Sequence, residues 1–182
     1  NNRQRAGSAI VIAAASLLAF IKPWEGSSLP VYADQLAGGL PTVCNGHTGA
    51  DVRLGDVWTK EQCDAVLVKD VEGHGSGVLA CVPVAINQHE YEAYASLAYN
   101  LGVGAVCGSS IPGKLARGEN KQACNTIREF NKVRDRTKPK VWNAKRQRYE
   151  YPLIAIRGLT NRRNAEAERC LQPMDTTAKE VA

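Results

Sequence analysis

The strongest constraint on this chain lies at its start, where sixteen consecutive residues carry no charge, Ala6 to Ile21, between Arg5 and Lys22. As a helix the run is about 24 Å long, short of the ~30 Å hydrocarbon core of a bilayer. Nine of the sixteen are Ala, Gly or Ser, and only Ile10, Val11, Ile12, Leu17, Leu18, Phe20 and Ile21 are strongly apolar. Arg3 and Arg5 give the run the charge flank of an export signal. It ends in Phe20-Ile21-Lys22-Pro23-Trp24, a poor site for cleavage, which calls for small residues. The reading is an uncleaved, weakly hydrophobic export anchor over residues 1–22, with a buried N-terminal core helix as the competing one. Both can hold at different times. Ile10, Leu17, Leu18 and Ile21 share one helical face, which a folded domain can receive in place of lipid.

The remainder is globular. In 182 residues, 44% are hydrophobic and 23% charged, which excludes disorder and supports one ordinary domain, residues 23–171, with a short tail at 172–182. Six Cys are more than a cytosolic enzyme usually carries, and the even number favours pairing in an oxidising compartment. Charge is uneven. Lys22 to Gly113 holds four bases against ten acids, whereas Lys114 to Arg169 holds sixteen bases against six acids. A basic second half suggests a polyanionic partner, and nucleic acid, anionic lipid and bacterial cell wall all fit that description.

Lys22 to Leu54, rich in Gly and Pro, reads as loops and a small β-sheet. Thr59-Lys-Glu-Gln62 is a capping box, so a helix is expected from about Lys60 to Val71. Gly73-His-Gly-Ser-Gly77 reads as a flexible breaker, with His74 a solvated loop residue. Asn87 and Glu90 start a second helix ending near Gly102, with Tyr91, Tyr94, Leu97 and Ala98 on its core side. A short helix is expected from Ser110 to Gly118, another from Asn120 to about Phe130, and a last one capped by Thr160 and running through Cys170. Lys132 to Tyr151 is strongly basic with Trp142, Tyr149 and Tyr151 interleaved, and reads as a projecting loop or hairpin. It is either a solvated charged face or a contact for a polyanionic or sugar substrate. The fold class is α+β, a small sheet-containing lobe followed by a helical one.

The candidate chemistry sits in Trp24-Glu25-Gly26, Tyr32-Ala-Asp34 and Pro41-Thr42-Val-Cys-Asn-Gly46-His47-Thr48. Glu25 stands where a helix gives way to loop beside Trp24. A carboxyl against apolar surface is pushed toward its protonated form and acts as a general acid. Asp34, nine residues on in a polar stretch, stays ionised. Two carboxyls in contrasting surroundings are what glycosidic cleavage requires, and a Thr42 hydroxyl can orient a water. On spacing alone a chance surface pair remains the simpler account.

Glu25, Asp34, a Gly-rich turn, Thr42 and Gly46-His47-Thr48 together resemble the phage-type lysozymes, glycoside hydrolase family 24. The likeness continues through Thr59-Lys-Glu-Gln-Cys63, Val68-Lys-Asp70, Ala98-Tyr-Asn-Leu-Gly102-Val-Gly104 and Gly158-Leu-Thr-Asn-Arg-Arg163, so it covers roughly Pro23 to Leu171. The apolar N-terminus resembles that of the signal-anchor-release endolysins of this group. These are exported to the inner membrane, held inactive there and released on depolarisation.

The resemblance implies two lysozyme-like lobes with a cleft between them. It makes Glu25 the general acid, and Asp34 and Thr42 the groups that position or activate water for an inverting hydrolysis of the N-acetylmuramic acid–N-acetylglucosamine link of peptidoglycan. The family pattern has five residues between the Asp and the Thr, whereas seven stand here, Gln35 to Pro41. A structural His47–Asp70 ion pair is implied rather than a metal site at Cys44-x-x-His47, and no cofactor. The implied disulfides are Cys44–Cys63, Cys81–Cys107 and Cys124–Cys170. The implied partners are peptidoglycan and, through residues 6–21, the bacterial inner membrane. No nucleic acid is expected, and the released periplasmic form is expected to be monomeric. A lytic transglycosylase, which needs one Glu, and a non-enzymatic wall-binding protein are the alternatives.

Overall fold

The computed structural model describes residues 10–12, 14–35 and 38–173. Ala6 to Ala9 and Ala13 of the apolar run, and most of the expected tail, lie outside the described residues. The elements in order are α1 (Ala15–Ile21) with a 3-10 turn Lys22–Trp24, then β1 (Ser28–Asp34) and β2 (Leu40–Cys44). There follow α2 (Lys60–Cys81), α3 (Gln88–Leu101), α4 (Val103–Cys107), α5 (Ile111–Ala116) and α6 (Asn120–Thr126) with a 3-10 turn Ile127–Glu129. Four short strands, β3 (Lys132–Arg134), β4 (Val141–Asn143), β5 (Arg148–Glu150) and β6 (Leu153–Ala155), precede α7 (Arg157–Leu171).

Two apolar clusters divide the chain into lobes. The smaller gathers Val31, Val43, Cys44, Val52, Cys63 and Val66 under the β1–β2 hairpin. The larger surrounds α3, in which every residue from Glu90 to Ala98 is buried. Helix α2 joins them, because Cys63 and Val66 near its start belong to the small cluster while Leu67, Val71 and Val78 belong to the large one. Both expected capping boxes are formed: Thr59 Oγ1 accepts from the Gln62 amide while the Gln62 side chain accepts from Thr59 N–H, and Asn87 and Glu90 do the same. The cysteines are bonded Cys44–Cys63, Cys81–Cys107 and Cys124–Cys170, tying β2 to α2, α2 to α4 and α6 to α7.

Three expectations are corrected. Helix α2 does not stop at Val71 but continues through Gly73–Gly77 to Cys81, so His74 is a half-buried helix residue rather than a loop residue. The glycines serve packing. A Cβ at Gly75 would collide with the Tyr91 hydroxyl, and one at Gly77 would lie 2.7 Å from Val103 Cγ2. Close approach of α3 and α4 outweighs the intrinsic cost of glycine in a helix, about 1 kcal/mol each. The last helix begins at Arg157, and Thr160 is not its cap: the Thr160 hydroxyl donates to Ile156 O, 3.0 Å away, inside the first turn. The helix from Asn120 ends at Thr126, and one 3-10 turn carries the chain to Phe130.

The described part of the apolar run lies on the large lobe. Leu17 and Ile21 are wholly buried, and Ile10, Ile12 and Leu18 pack against the same cluster. Polar groups complete the seat. Gln88 accepts from Val11 N–H and donates to Val11 O, both at 3.0 Å, Tyr91 donates to Ile12 O at 2.8 Å, and Ser16 donates to buried Glu92 at 2.6 Å. Among the described residues no helix is long and apolar enough to cross a membrane. The basic segment is a two-tier hairpin, β3 pairing antiparallel with β6 and β4 with β5.

Candidate active site

The 3-10 turn Lys22–Trp24 continues directly from α1, and Glu25 closes it by donating its N–H to Lys22 O, 3.3 Å away. The placement of α1 therefore sets the placement of Glu25. In the β hairpin Tyr32 stands opposite Thr42 and Asp34 opposite Leu40, so Asp34 and Thr42 are diagonal neighbours on one face, ~7–8 Å apart. An insertion of two residues in the turn preserves that face, whereas one residue would invert it. Gly38 and Gly39, at φ 73° and 85°, take the left-handed conformations that the turn needs.

Glu25, Tyr32, Asp34, Thr42 and Asn100 line one open cleft of about 760 Å³. Thr42 is almost fully buried, and its hydroxyl donates to Leu40 O at 3.0 Å. From Glu25 and Asn100 the cleft continues into a second recess of about 390 Å³ bounded by Asn45, Asp70, His74 and Tyr99. His47 Nδ1 lies 2.8 Å from Asp70 Oδ2 and Nε2 lies 3.3 Å from Asp51 Oδ2. His74 Nδ1 lies 2.7 Å from Asp70 O, with the ring edge-on to Tyr99. Cys44 is bonded to Cys63, and His47 lies in hydrogen-bonding contact with Asp70. Burial pushes the Tyr99 phenol up, and the charges of Glu25 and Asp70 add to this, so it remains a donor to Asn45 O at 2.9 Å.

The immediate partner of Glu25 is not apolar surface but Arg162 of α7, whose Nη1 donates to Glu25 Oε1 at 2.6 Å. Behind it lies a buried cluster. Arg162 Nε donates to Glu166 Oε1 at 3.1 Å, and Ser96 Oγ donates to the same oxygen at 2.8 Å. Arg163 Nε lies 2.7 Å from Glu166 Oε2 without the alignment of a hydrogen bond, and its Nη2 donates both to Glu166 Oε1 at 2.9 Å and to Asn100 Oδ1 at 3.1 Å. Burial pushes the Glu166 carboxyl up, and the two guanidinium groups pull against it. This cluster thus fixes two residues of the cleft wall, Glu25 and Asn100. Sequence reasoning assigned no role to Arg162, Arg163 or Glu166. The available signal was the spacing of Arg162, Glu166 and Cys170, which puts two charges on the inward face of a helix.

The phage lysozyme family model matches residues 22–166, the span that holds the cleft and all but the last turn of α7. The chain belongs to the phage lysozyme family. The family is one of glycoside hydrolases. Similar proteins include a SAR-endolysin of Pseudomonas phage phiKMV, 34% identical over 173 residues and covering 94% of each chain. A SAR-endolysin of Enterobacteria phage P21 is 33% identical over 147 residues, 81% of this chain and 77% of its own. Among solved structures, an endolysin from Escherichia coli O157:H7 phage FAHEc1 superposes with a TM-score of 0.72 at 27% identity, over 91% of this chain and 96% of its own.

Proposed function

We propose that this phage lysozyme is an endolysin that hydrolyses the β-1,4 link between N-acetylmuramic acid and N-acetylglucosamine in bacterial peptidoglycan, with inversion. The observation that carries the reading is the shared cleft of Glu25, Asp34 and Thr42. Glu25 protonates the bridging oxygen as the glycosidic bond breaks. Asp34, with Thr42 beside it, takes a proton from a water on the opposite face of the sugar, and that water adds to the anomeric carbon to leave a reducing end. Arg162 keeps the Glu25 carboxyl aimed into the cleft. The decisive experiment compares wild type with Glu25→Gln on purified sacculi. Clearing is expected to fall about 1000-fold while binding survives, and the wild-type product is expected to carry a reducing end. An anhydro-sugar product assigns the cleft to a lytic transglycosylase instead, and equal clearing by both proteins removes the enzymatic reading of Glu25.

Residues 1–22 form an export anchor that holds the chain at the inner membrane, facing the periplasm, until release yields a soluble monomer. Two features support this. The seat for Val11, Ile12 and Ser16 on α3 is polar as well as apolar, so a segment leaving lipid recovers its backbone hydrogen bonds. Glu25 also stands only four residues beyond Ile21, so a bilayer holding Ile21 keeps Glu25 at its surface, away from Arg162 and Asp34. A variant with a lengthened apolar run is expected to stay in the membrane fraction without clearing wall. Full activity of that tethered form overturns the mechanism.

A further inference from the structure

The hairpin β3–β6 takes no part in either apolar cluster: no residue from 132 to 155 is buried. It carries eight bases, Lys132, Arg134, Arg136, Lys138, Lys140, Lys145, Arg146 and Arg148, against two acids, Asp135 and Glu150. Glu150 is occupied by Arg146 and Arg148. Among the described residues Arg134, Arg136 and Lys140 have no carboxylate partner, yet they converge with Tyr149, Tyr151 and the Arg148–Glu150 pair on a recess of about 330 Å³. Lys140 Nζ lies 5.2 Å from the centre of the Tyr151 ring. At the outer tier Trp142 and Tyr149 pair across the strands, ring centres 5.2 Å apart, although both are more than half exposed. The Lys140–Tyr151 and Trp142–Tyr149 contacts help to hold the hairpin, but they leave the unpaired cations facing one another and both outer rings more than half exposed.

We propose that this hairpin is an accessory arm that grips the wall polymer outside the cleft. Arg134, Arg136 and Lys140 take the carboxylates of peptidoglycan stem peptides, and the Trp142–Tyr149 pair lies against sugar faces. The substrate named here rests on the muramidase reading above. Two observations favour the polymer over a flat anionic bilayer. The cations face a recess, which suits projecting acidic groups rather than a headgroup plane. The arm is also rooted at the cleft: Ile156 N–H donates to Asn131 O at 3.0 Å, Asn131 donates to Thr160 at 3.1 Å, and six residues of helix, ~9 Å, separate Ile156 from the Arg162 that holds Glu25. A second contact on the same strand raises the effective concentration of substrate at the cleft without touching the chemistry.

The test is the triple substitution Arg134→Gln, Arg136→Gln, Lys140→Gln, and separately Trp142→Ala, in the full-length chain. Co-sedimentation with sacculi in a Glu25→Gln background is expected to weaken about tenfold in the triple variant, and the residual binding to lose most of its salt dependence. In the active enzyme, KM on sacculi rises while kcat, and turnover of a short peptide-free oligosaccharide of the same two sugars, stay at the wild-type level. Unchanged binding to sacculi overturns the proposal, as does an equal loss on polymer and on the short oligosaccharide. Selective loss of binding to phosphatidylglycerol vesicles with sacculus binding intact also overturns it, in favour of a membrane arm. Because binding is measured without turnover, failure of the muramidase reading shows up separately, as a wild-type enzyme that releases no reducing ends.

Discussion

Arg162 Nη1 sits 2.6 Å from Glu25 Oε1 across 137 residues of sequence, and the guanidinium making that contact is braced by Glu166 at 3.1 Å. A planar guanidinium serves two carboxylates at once, which an ammonium cannot do with the same geometry. Arg162→Lys is therefore expected to lower kcat on sacculi about 100-fold through a misplaced Glu25, with little change in sacculus binding. Steady-state kinetics beside co-sedimentation check this. Retention of wild-type kcat would show that Glu25 needs no brace.

The buried carboxyl behind it gives a separate expectation. Glu166→Gln leaves Arg163 without its counter-charge in the core and Arg162 with Glu25 alone, and removing one partner from a buried pair costs about 3–5 kcal/mol. Urea denaturation measures the loss. A change below about 1 kcal/mol would mean that the cluster is already compensated by water.

Glycines in α2 differ in what surrounds them. Gly75→Ala is expected to destabilise by about 1–3 kcal/mol, because its methyl meets the Tyr91 hydroxyl and would sit 2.9 Å from the ring Cζ. Gly73→Ala meets nothing within 4 Å and is expected to stabilise by up to about 1 kcal/mol. Thermal denaturation of the two variants should give opposite signs.

Disulfide removal should follow loop length. The Cys124–Cys170 pair spans 46 residues and Cys44–Cys63 spans 19, so loop-closure entropy predicts losses of about 4 and about 3 kcal/mol for the respective double Ala variants. Denaturant unfolding, with stability taken from midpoint and slope together because the uncrosslinked unfolded chain exposes more surface, tests the order.

The hairpin carries a pH signature of its own. The guanidinium of Arg148, with Arg146 and Asn143, holds the Glu150 carboxyl down to about 2 from an ordinary 4.5. A depressed carboxylate stabilises above its unfolded value and loses that contribution as pH falls through the folded one. Near-ultraviolet circular dichroism of the Trp142–Tyr149 contact is expected to hold above pH 4.5 and decay toward about 2. Glu150→Gln should lack that step.

Residues that interact within one turn of helix could be read from the chain alone. Thr59 with Gln62 and Asn87 with Glu90 satisfy backbone donors three residues away, so both helix starts were legible. That Asp34 and Thr42 share a face was not legible: it depends on the Tyr32–Thr42 register, which the spacing of the two residues leaves open. The apolar face of Leu17 and Ile21 was legible, but its burial on the large lobe was only the competing reading to a lipid anchor, and the fold provides that seat. Tertiary structure alone decided that Gly73-His-Gly-Ser-Gly77 continues a helix, since glycine is a breaker by propensity and becomes necessary only when Tyr91 and Val103 press against it. It alone turned His74 toward the recess beside Glu25. It alone brought Arg162 to Glu25, because nothing local distinguishes an arginine bound for solvent from one whose charge is matched by a carboxylate at the other end of the chain.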